Sequence, residues 1–199
     1  MNKAEEIYKF VNEKILLLQT ESSWSSGMLA RLRRGVGKDP SEVPDAWEIT
    51  LNELPSELLC RGYSEKDSVT EAELAVHTAL TLYAVHQQGI NYVVSANKSK
   101  GGLSFGKAIR RLISPDKIND DPIKRRFDAM VTANDIYELS YHARGLVQLM
   151  RSSVVPIKMD YPQFAKDLYD YQRNGKDRVR LCWGQDFYSH EKKENGKEE

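Results

Sequence analysis

Cysteine and histidine are scarce in this 199-residue sequence, and their spacing limits the sites that it can form. Cys60 and Cys182 stand alone and far apart, which gives neither a disulfide framework nor the paired spacing of a structural zinc site. The four histidines show no grouping with cysteine and none of the spacing that a metal site requires. We therefore expect a cytoplasmic protein, kept in a reducing compartment, that uses no metal ion and no other cofactor.

Long apolar runs and an excess of either charge are missing as well. No apolar run reaches the roughly 18 residues that a membrane-spanning helix requires, so we expect no membrane partner. Lysine plus arginine equals aspartate plus glutamate at 29 each, yet the two signs are unevenly distributed. Residues 39–73 hold ten anions against two cations, and residues 98–126 hold nine cations against three anions. Such local charge, rather than the total, determines the electrostatic field that a partner meets.

Helical periodicity is the main feature that the sequence does have. Apolar residues recur at helical spacing along most of the chain and strand-like alternation is rare, so we predict a mainly helical protein. A capping box at Thr70 and Glu73 starts a long helix, and residues 74–97 contain no Lys, Arg, Asp or Glu. This pattern predicts a central, mostly buried helix. Residues 90–94 fit either a short buried strand or a continuation of the helical core, and the local pattern leaves both open.

Positive charge is concentrated on one side of several predicted helices. Residues 103–151 contain three helices, each with an apolar stripe on one side and cations on another. A further basic row lies on the helix that ends before Gly35. The cations are Arg31, Arg33 and Arg34 on that earlier helix, followed by Lys107, Arg110, Arg111, Lys124, Arg125, Arg126, Arg144 and Arg151.

Residues 101–108 (GGLSFGKA) match most of the phosphate-binding loop pattern GxxxxGK, which is typical of nucleotide hydrolases. The pattern requires Ser or Thr after the lysine to hold Mg²⁺, and this sequence has Ala108 there. Asp116, Asp120 and Asp121 are better explained by turns and helix caps than by a metal-dependent nuclease site. With no visible nucleophile or general base, we expect a protein that is not an enzyme.

The function that the residues favour is therefore electrostatic. Arginine offers phosphate a planar fork of donors, and each phosphate that is neutralised releases counterions. No pattern for reading base edges is evident, so nucleic-acid binding would have little sequence preference. The competing interpretation, in which the basic rows are solvated helix faces or protein interfaces, stays open at this point.

Six blocks, in this order along nearly the whole chain, resemble the CasB family, the small subunit of the type I-E CRISPR surveillance complex, Cascade. The blocks are LARLRRG (29–35), LSFGKAIRRLI (103–113), KRRFDAM (124–130), HARGLVQLMR (142–151), FAKDLYDYQ (164–172) and VRLCWGQDFY (179–188).

This resemblance implies an all-α fold of two small helical bundles packed in one compact chain, with about eight to nine helices. We place the N-terminal bundle at residues 1–97, the C-terminal bundle at 98–190 and a disordered tail at 191–199. The implied partners are the other Cascade subunits, the guide RNA, single-stranded and R-loop DNA, and a second copy of the chain. The implied role is stabilisation of the displaced and target strands without catalysis.

Carried onto matching positions, the resemblance makes ten cations the candidate strand contacts. They are Arg31, Arg33, Arg34, Lys107, Arg110, Arg111, Lys124, Arg125, Arg126 and Arg144. Arg126 and Arg144 have an alternative role as ion-pair partners between bundles. The alternative function for the whole chain is a protein-only scaffold, in which the basic rows dock on acidic surfaces such as residues 39–73 of a second copy or a neighbour.

Overall fold

Helices make up almost all of the regular structure in the computed structural model, which describes residues 2–60, 69–113 and 122–189. These ranges contain nine α-helices and three short 3₁₀ helices, the latter at Pro40–Glu42, Pro44–Ala46 and Lys98–Lys100. The α-helices are α1 (Lys3–Leu18), α2 (Ser23–Arg34), α3 (Trp47–Thr50), α4 (Glu71–His86), α5 (Phe105–Arg110), α6 (Pro122–Val131), α7 (Ile136–Arg151), α8 (Tyr161–Gln172) and α9 (Lys176–Tyr188). The predicted all-α class is confirmed.

Helix α4 is the central element of the fold, as its lack of charge predicts. From Ala72 to His86 all but one of its side chains are buried, and α1, α2, α3, α7 and α8 all pack against it. The predicted capping box starts this helix: the Thr70 hydroxyl accepts from the Glu73 backbone N–H at 3.1 Å, and the Glu73 carboxylate accepts from the Thr70 N–H at 2.7 Å. The cap fixes where the buried helix begins.

The remaining helices pack in pairs around α4. α1 lies against α8, α5 against α9, and α6 against α7. Phe105 of α5, Phe164 of α8 and Trp183 of α9 form an aromatic cluster with ring centroids 4.8 to 5.8 Å apart. The buried apolar residues of the described ranges form one contiguous core to which both halves of the chain contribute. The division between residues 97 and 98 stays a prediction, and the predicted tail at 191–199 lies outside the described residues.

Residues 90–94, for which strand and helix were both open, form neither. The side chain of Gln87 holds them in a loop: its amide nitrogen donates to the carbonyls of Ile90 at 3.1 Å and Tyr92 at 2.8 Å, and its amide oxygen accepts from the Val94 N–H at 3.2 Å. Beyond this loop the chain makes isolated bridges between Met159 and both Ser95 and Leu103. None of the helices in the described ranges is both long enough and apolar enough to span a bilayer.

Candidate nucleic-acid interface

The outer faces of α6 and α7, two helices that pack together, carry three of the ten candidate cations. Burial of Phe127 and Met130 orients α6 so that Arg125 and Arg126 are exposed. On α7, the buried stripe that includes Ala143 and Leu146 leaves Arg144 exposed. The Arg126 guanidinium reaches across to α7, because a methyl group built at Gly145 would lie 3.9 Å from its Nη1 atom. Arg126 therefore stands beside the backbone position that follows Arg144.

We call Arg125, Arg126 and Arg144 the α6–α7 basic surface. Within the described part of the chain, no carboxylate lies within 4 Å of any of the three guanidinium groups. Among the described residues, neither Arg126 nor Arg144 has the ion pair that their alternative role, between bundles, requires.

Two further arginines stand near each other between α2 and α7. Arg151 lies seven residues after Arg144 on the same face of α7, and its guanidinium donates to the Gln88 side chain at 2.7 Å. Arg33 of α2 is half-buried, and burial followed by the positive charge of Arg151 lowers the pKa of its guanidinium. An anion that approached this place would relieve the repulsion between the two cations.

The other two cations of the α2 row are paired within the chain. Arg31 lies 3.8 Å from the Glu48 carboxylate, and Arg34 lies 3.3 Å from that of Asp45. Both carboxylates belong to the acidic segment, residues 39–73, where the 3₁₀ helix Pro44–Ala46 packs on α2 and α3 follows it. All four side chains are 45 to 65% exposed, so these pairs are weak and open to exchange.

The basic row on α5 is more involved in the fold than its helical spacing predicts. Lys107 lies 3.8 Å from the Asp186 carboxylate of α9, and the Arg110 guanidinium donates to the Ile113 carbonyl at 2.7 Å. Arg111 is exposed and lines, with Lys158, a cavity of about 200 Å³ beside residues 155–157. Lys107 and Arg110 are half-buried, so these two cations are less accessible to a partner than Arg111.

Lys124 is a candidate cation that is already neutralised locally. Its ammonium group donates to the Asp128 carboxylate at 2.6 Å, one helical turn further along α6. The bond to Asp128, together with a weaker contribution from Tyr188, raises the pKa of Lys124. A phosphate would have to compete with Asp128 for this group.

One exposed aromatic residue, Tyr141, lies on the same face of α7 and is not among the predicted strand contacts. Tyr141 is 74% exposed, and it precedes Arg144 by one helical turn. The available signal was its spacing, because a residue at position i−3 from an exposed arginine on a helix lies on nearly the same side. Among the tryptophans, Trp183 is buried, while Trp24 and Trp47 are each about 40% exposed.

No group of three or more His, Cys, Asp or Glu side chains is placed to hold a metal ion within residues 2–60, 69–113 and 122–189. The sequence candidates for such a cluster, Asp116, Asp120 and Asp121, lie outside the described residues.

The fold and these surfaces define a class of small all-helical protein that presents arginine-rich helix faces to solvent. The family model of CRISPR-associated protein Cse2 matches residues 28–188, and the chain belongs to this family. The predicted relationship to CasB is thereby confirmed, since solved CasB structures are similar to the chain throughout.

CasB from Thermobifida fusca is 30% identical to the chain, with a TM-score of 0.69 over 92% of this chain and 98% of that one. CasB from M. ruber is 22% identical, with a TM-score of 0.63 over 94% and 93%. A chain of a structure described as a CRISPR RNA-guided surveillance complex is 17% identical, with a TM-score of 0.64 over 94% of each chain. Comparison with curated proteins gives no match.

Proposed function

We propose that this chain is the small, non-catalytic subunit of a CRISPR RNA-guided surveillance complex, and that it stabilises the R-loop by holding the displaced and target strands. Membership of the Cse2 family supports the first part. The similarity of fold to a chain of a surveillance complex agrees with it. On this proposal its partners are the other subunits, the guide RNA, single-stranded and R-loop DNA, and a second copy of itself.

The mechanism is charge neutralisation without base readout. In RNA-guided recognition, base pairing between guide and target reads the sequence, and protein supplies positive surface for the strands. Arginine suits this task because its planar fork of donors matches two phosphate oxygens. Since an R-loop exchanges one duplex for another of similar stability, modest favourable contacts to the separated strands shift the balance towards the open state.

The observation that carries the proposal is the α6–α7 basic surface. Arg125, Arg126 and Arg144 are exposed, lie on two helices that pack together, and have no carboxylate within 4 Å among the described residues. Cations held only for solubility or fold stability usually lie close to anions, as Arg31 and Arg34 of α2 lie close to Glu48 and Asp45. The arrangement on α6 and α7 instead leaves positive charge for a polyanion.

Strand holding does not require tight binding by the isolated subunit. In an assembled complex the strand is presented at high effective concentration, which converts a weak contact into a stable one. We therefore expect low affinity in isolation and a strong dependence on salt.

A protein-only scaffold is the second candidate, and one observation favours it. Arg31 and Arg34 pair with Glu48 and Asp45 of the chain's own acidic segment. The same carboxylates could pair with basic residues of a neighbouring subunit, so that the chain spaces the complex without touching DNA.

The test is fluorescence anisotropy with labelled single-stranded DNA across a salt series. We compare the wild type with a variant in which Arg125, Arg126 and Arg144 are all replaced by Gln. Each neutralised phosphate contributes ~0.7 to the log-log salt slope for single strands, so loss of three contacts reduces the slope by about 2. Circular dichroism checks that the variant remains helical.

The matched control replaces Lys3, Arg173 and Arg178 by Gln, which removes the same charge from exposed positions outside the candidate set. We expect this control to bind as the wild type does. If both triple variants lose the same amount of DNA binding, the change in net charge explains the loss, and the proposed surface is contradicted. A variant that keeps strand binding but no longer joins the other subunits would favour the scaffold.

A further inference from the structure

Tyr141 stands out among the aromatic side chains because its ring is largely in solvent. It is 74% exposed, whereas most tyrosines in the described ranges pack against the core or form hydrogen bonds. One turn earlier on α7, the Tyr137 hydroxyl donates to the Asp39 carboxylate at 2.7 Å. The Tyr141 hydroxyl has no such partner within the described residues. Among the described residues, neither core packing nor a hydrogen bond of its hydroxyl accounts for Tyr141.

The position of Tyr141 relates it directly to the α6–α7 basic surface. Three residues along a helix correspond to about 4.5 Å of rise and about 60° of rotation, so Tyr141 and Arg144 are neighbours on one face. Arg126 reaches the same face from α6, beside Gly145. Two guanidinium groups that pair with no described carboxylate thus belong to the same region of α7 as this aromatic ring.

One neighbouring side chain contacts the ring without covering it. The His142 imidazole meets it edge-on, with centroids 5.3 Å apart and planes at 75°. His142 itself lies 4.0 Å from the Glu138 carboxylate one turn earlier. The Tyr141 ring, 74% exposed, therefore remains accessible to a flat ligand.

Charge determines which partner fits. A ring beside cations that pair with no carboxylate of the described ranges suits a ligand that combines flat apolar groups with negative charge at short, regular spacing. Single-stranded nucleic acid has this combination, since its unpaired bases offer π-faces and its phosphates follow each base. A duplex does not, because its bases are already stacked on one another.

We propose that Tyr141 is a stacking platform for one unpaired base, and that Arg144 and Arg126 hold the phosphates next to that base. This inference rests on the proposed function and names its ligand more closely: strand regions with free bases, rather than any polyanion. Because every base has a π-face, the contact adds affinity without adding sequence preference.

The experiment compares two labelled oligonucleotides of equal length, one a deoxythymidine homopolymer and the other an abasic backbone with the same number of phosphates. Binding is measured for the wild type, for Tyr141→Leu, which keeps apolar bulk but loses the ring, and for Tyr141→Phe, which keeps the ring. Leu181→Ala, an exposed position on α9, is the surface control.

We expect Tyr141→Leu to weaken binding of the homopolymer by about fivefold or more, the lower end of the range for stacking one base on an aromatic ring. Tyr141→Phe and Leu181→Ala should bind as the wild type does, and all four proteins should bind the abasic strand equally. Equal weakening on both strands, or none on the homopolymer, overturns the stacking inference while the charge-based function stands.

Failure of the function itself has a different signature. If the wild type binds neither strand even at low salt, the strand-holding proposal fails and the stacking inference fails with it. If Tyr141→Leu leaves homopolymer binding intact but reduces incorporation into the assembled complex, the ring belongs to a protein interface, and stacking is again overturned.

Discussion

Asp167 is a carboxyl group held between α8 and α9, where it helps to set the relative position of the two helices. The Trp183 indole N–H donates to one of its oxygens at 2.8 Å, and the Gln163 amide donates to the other at 2.8 Å. Burial nevertheless outweighs these bonds and raises the pKa of Asp167 to about 6. Between its ordinary pKa and 6, the folded chain holds a proton that the unfolded chain has lost.

Asp167→Asn should therefore change how stability depends on pH. Because the folded-state pKa is raised, the wild type loses stability as the pH rises from about 4 to 6, by at most about 3 kcal/mol. The amide cannot ionise, and its oxygen still accepts from Trp183. Urea denaturation at several pH values measures this. The free energy of unfolding of the variant should rise relative to that of the wild type between about pH 4 and 6, and the difference should stay constant above about pH 6.

The difference in stability between wild type and variant reports on Asp167 alone, although other groups titrate at similar pH values. Burial lowers the pKa of His86 to about 4, so this imidazole makes the chain less stable as the pH falls below about 6.5, the opposite trend. His86 is present in both proteins and cancels in the difference. Parallel stability profiles of wild type and variant would show that Asp167 ionises normally.

At the scale of the helix, the segment that resembles a phosphate-binding loop owes its glycines to turns and packing. Gly101 has a φ of 81° and ends the 3₁₀ helix at Lys98–Lys100. Gly106 lies where α5 meets α9, and a Cβ atom built there would be 2.2 Å from the Trp183 carbonyl oxygen. The close approach of these two helices thus requires glycine at position 106.

Gly106→Ala should force α5 away from α9 and destabilise the protein by about 1–3 kcal/mol, the usual range for overpacking. Gly184→Ala is the matched control, because Gly184 lies within α9 with nothing within 4 Å of its built Cβ atom. That change should be neutral or stabilising by up to about 1 kcal/mol through helix propensity. Urea denaturation measures the stability of both variants. Equal changes in the free energy of unfolding would mean that the α5–α9 contact adjusts to an added methyl group at little cost.

The helices also show which features a sequence can predict. The start and burial of α4 follow from a capping box and an uncharged run, and both signals lie within the element itself. The surroundings of Lys107 could not be predicted, because Asp186 reaches it from a helix far along the chain. The loop at residues 90–94 could not be predicted, because one side chain, that of Gln87, provides the hydrogen bonds that a strand or helix would otherwise supply.

For the molecule as a whole, the net charge is zero, yet the described basic residues are of two kinds. Some pair with a carboxylate of the described ranges and others do not. Part of the acidic segment packs on α2 and pairs with Arg31 and Arg34, while no carboxylate of the described ranges pairs with the α6–α7 basic surface. Sequence patterns gave the same prediction for both rows, since each has cations on the outer side of an amphipathic helix. Only the folded chain distinguishes them, because it brings Asp45 and Glu48 to α2.

Removing those two carboxylates distinguishes strand holding from scaffolding. In the Asp45→Asn, Glu48→Gln variant, Arg31 and Arg34 are released, so strand holding predicts tighter binding of single-stranded DNA and a salt slope steeper by up to about 1.4, at ~0.7 per phosphate. Glu13→Gln with Glu57→Gln gives the same net charge from exposed positions elsewhere and should have a smaller effect. Unchanged DNA binding, together with weaker assembly in the first variant alone, would instead assign these carboxylates to a subunit interface. Anisotropy and size-exclusion chromatography of the assembled complex measure the two outcomes.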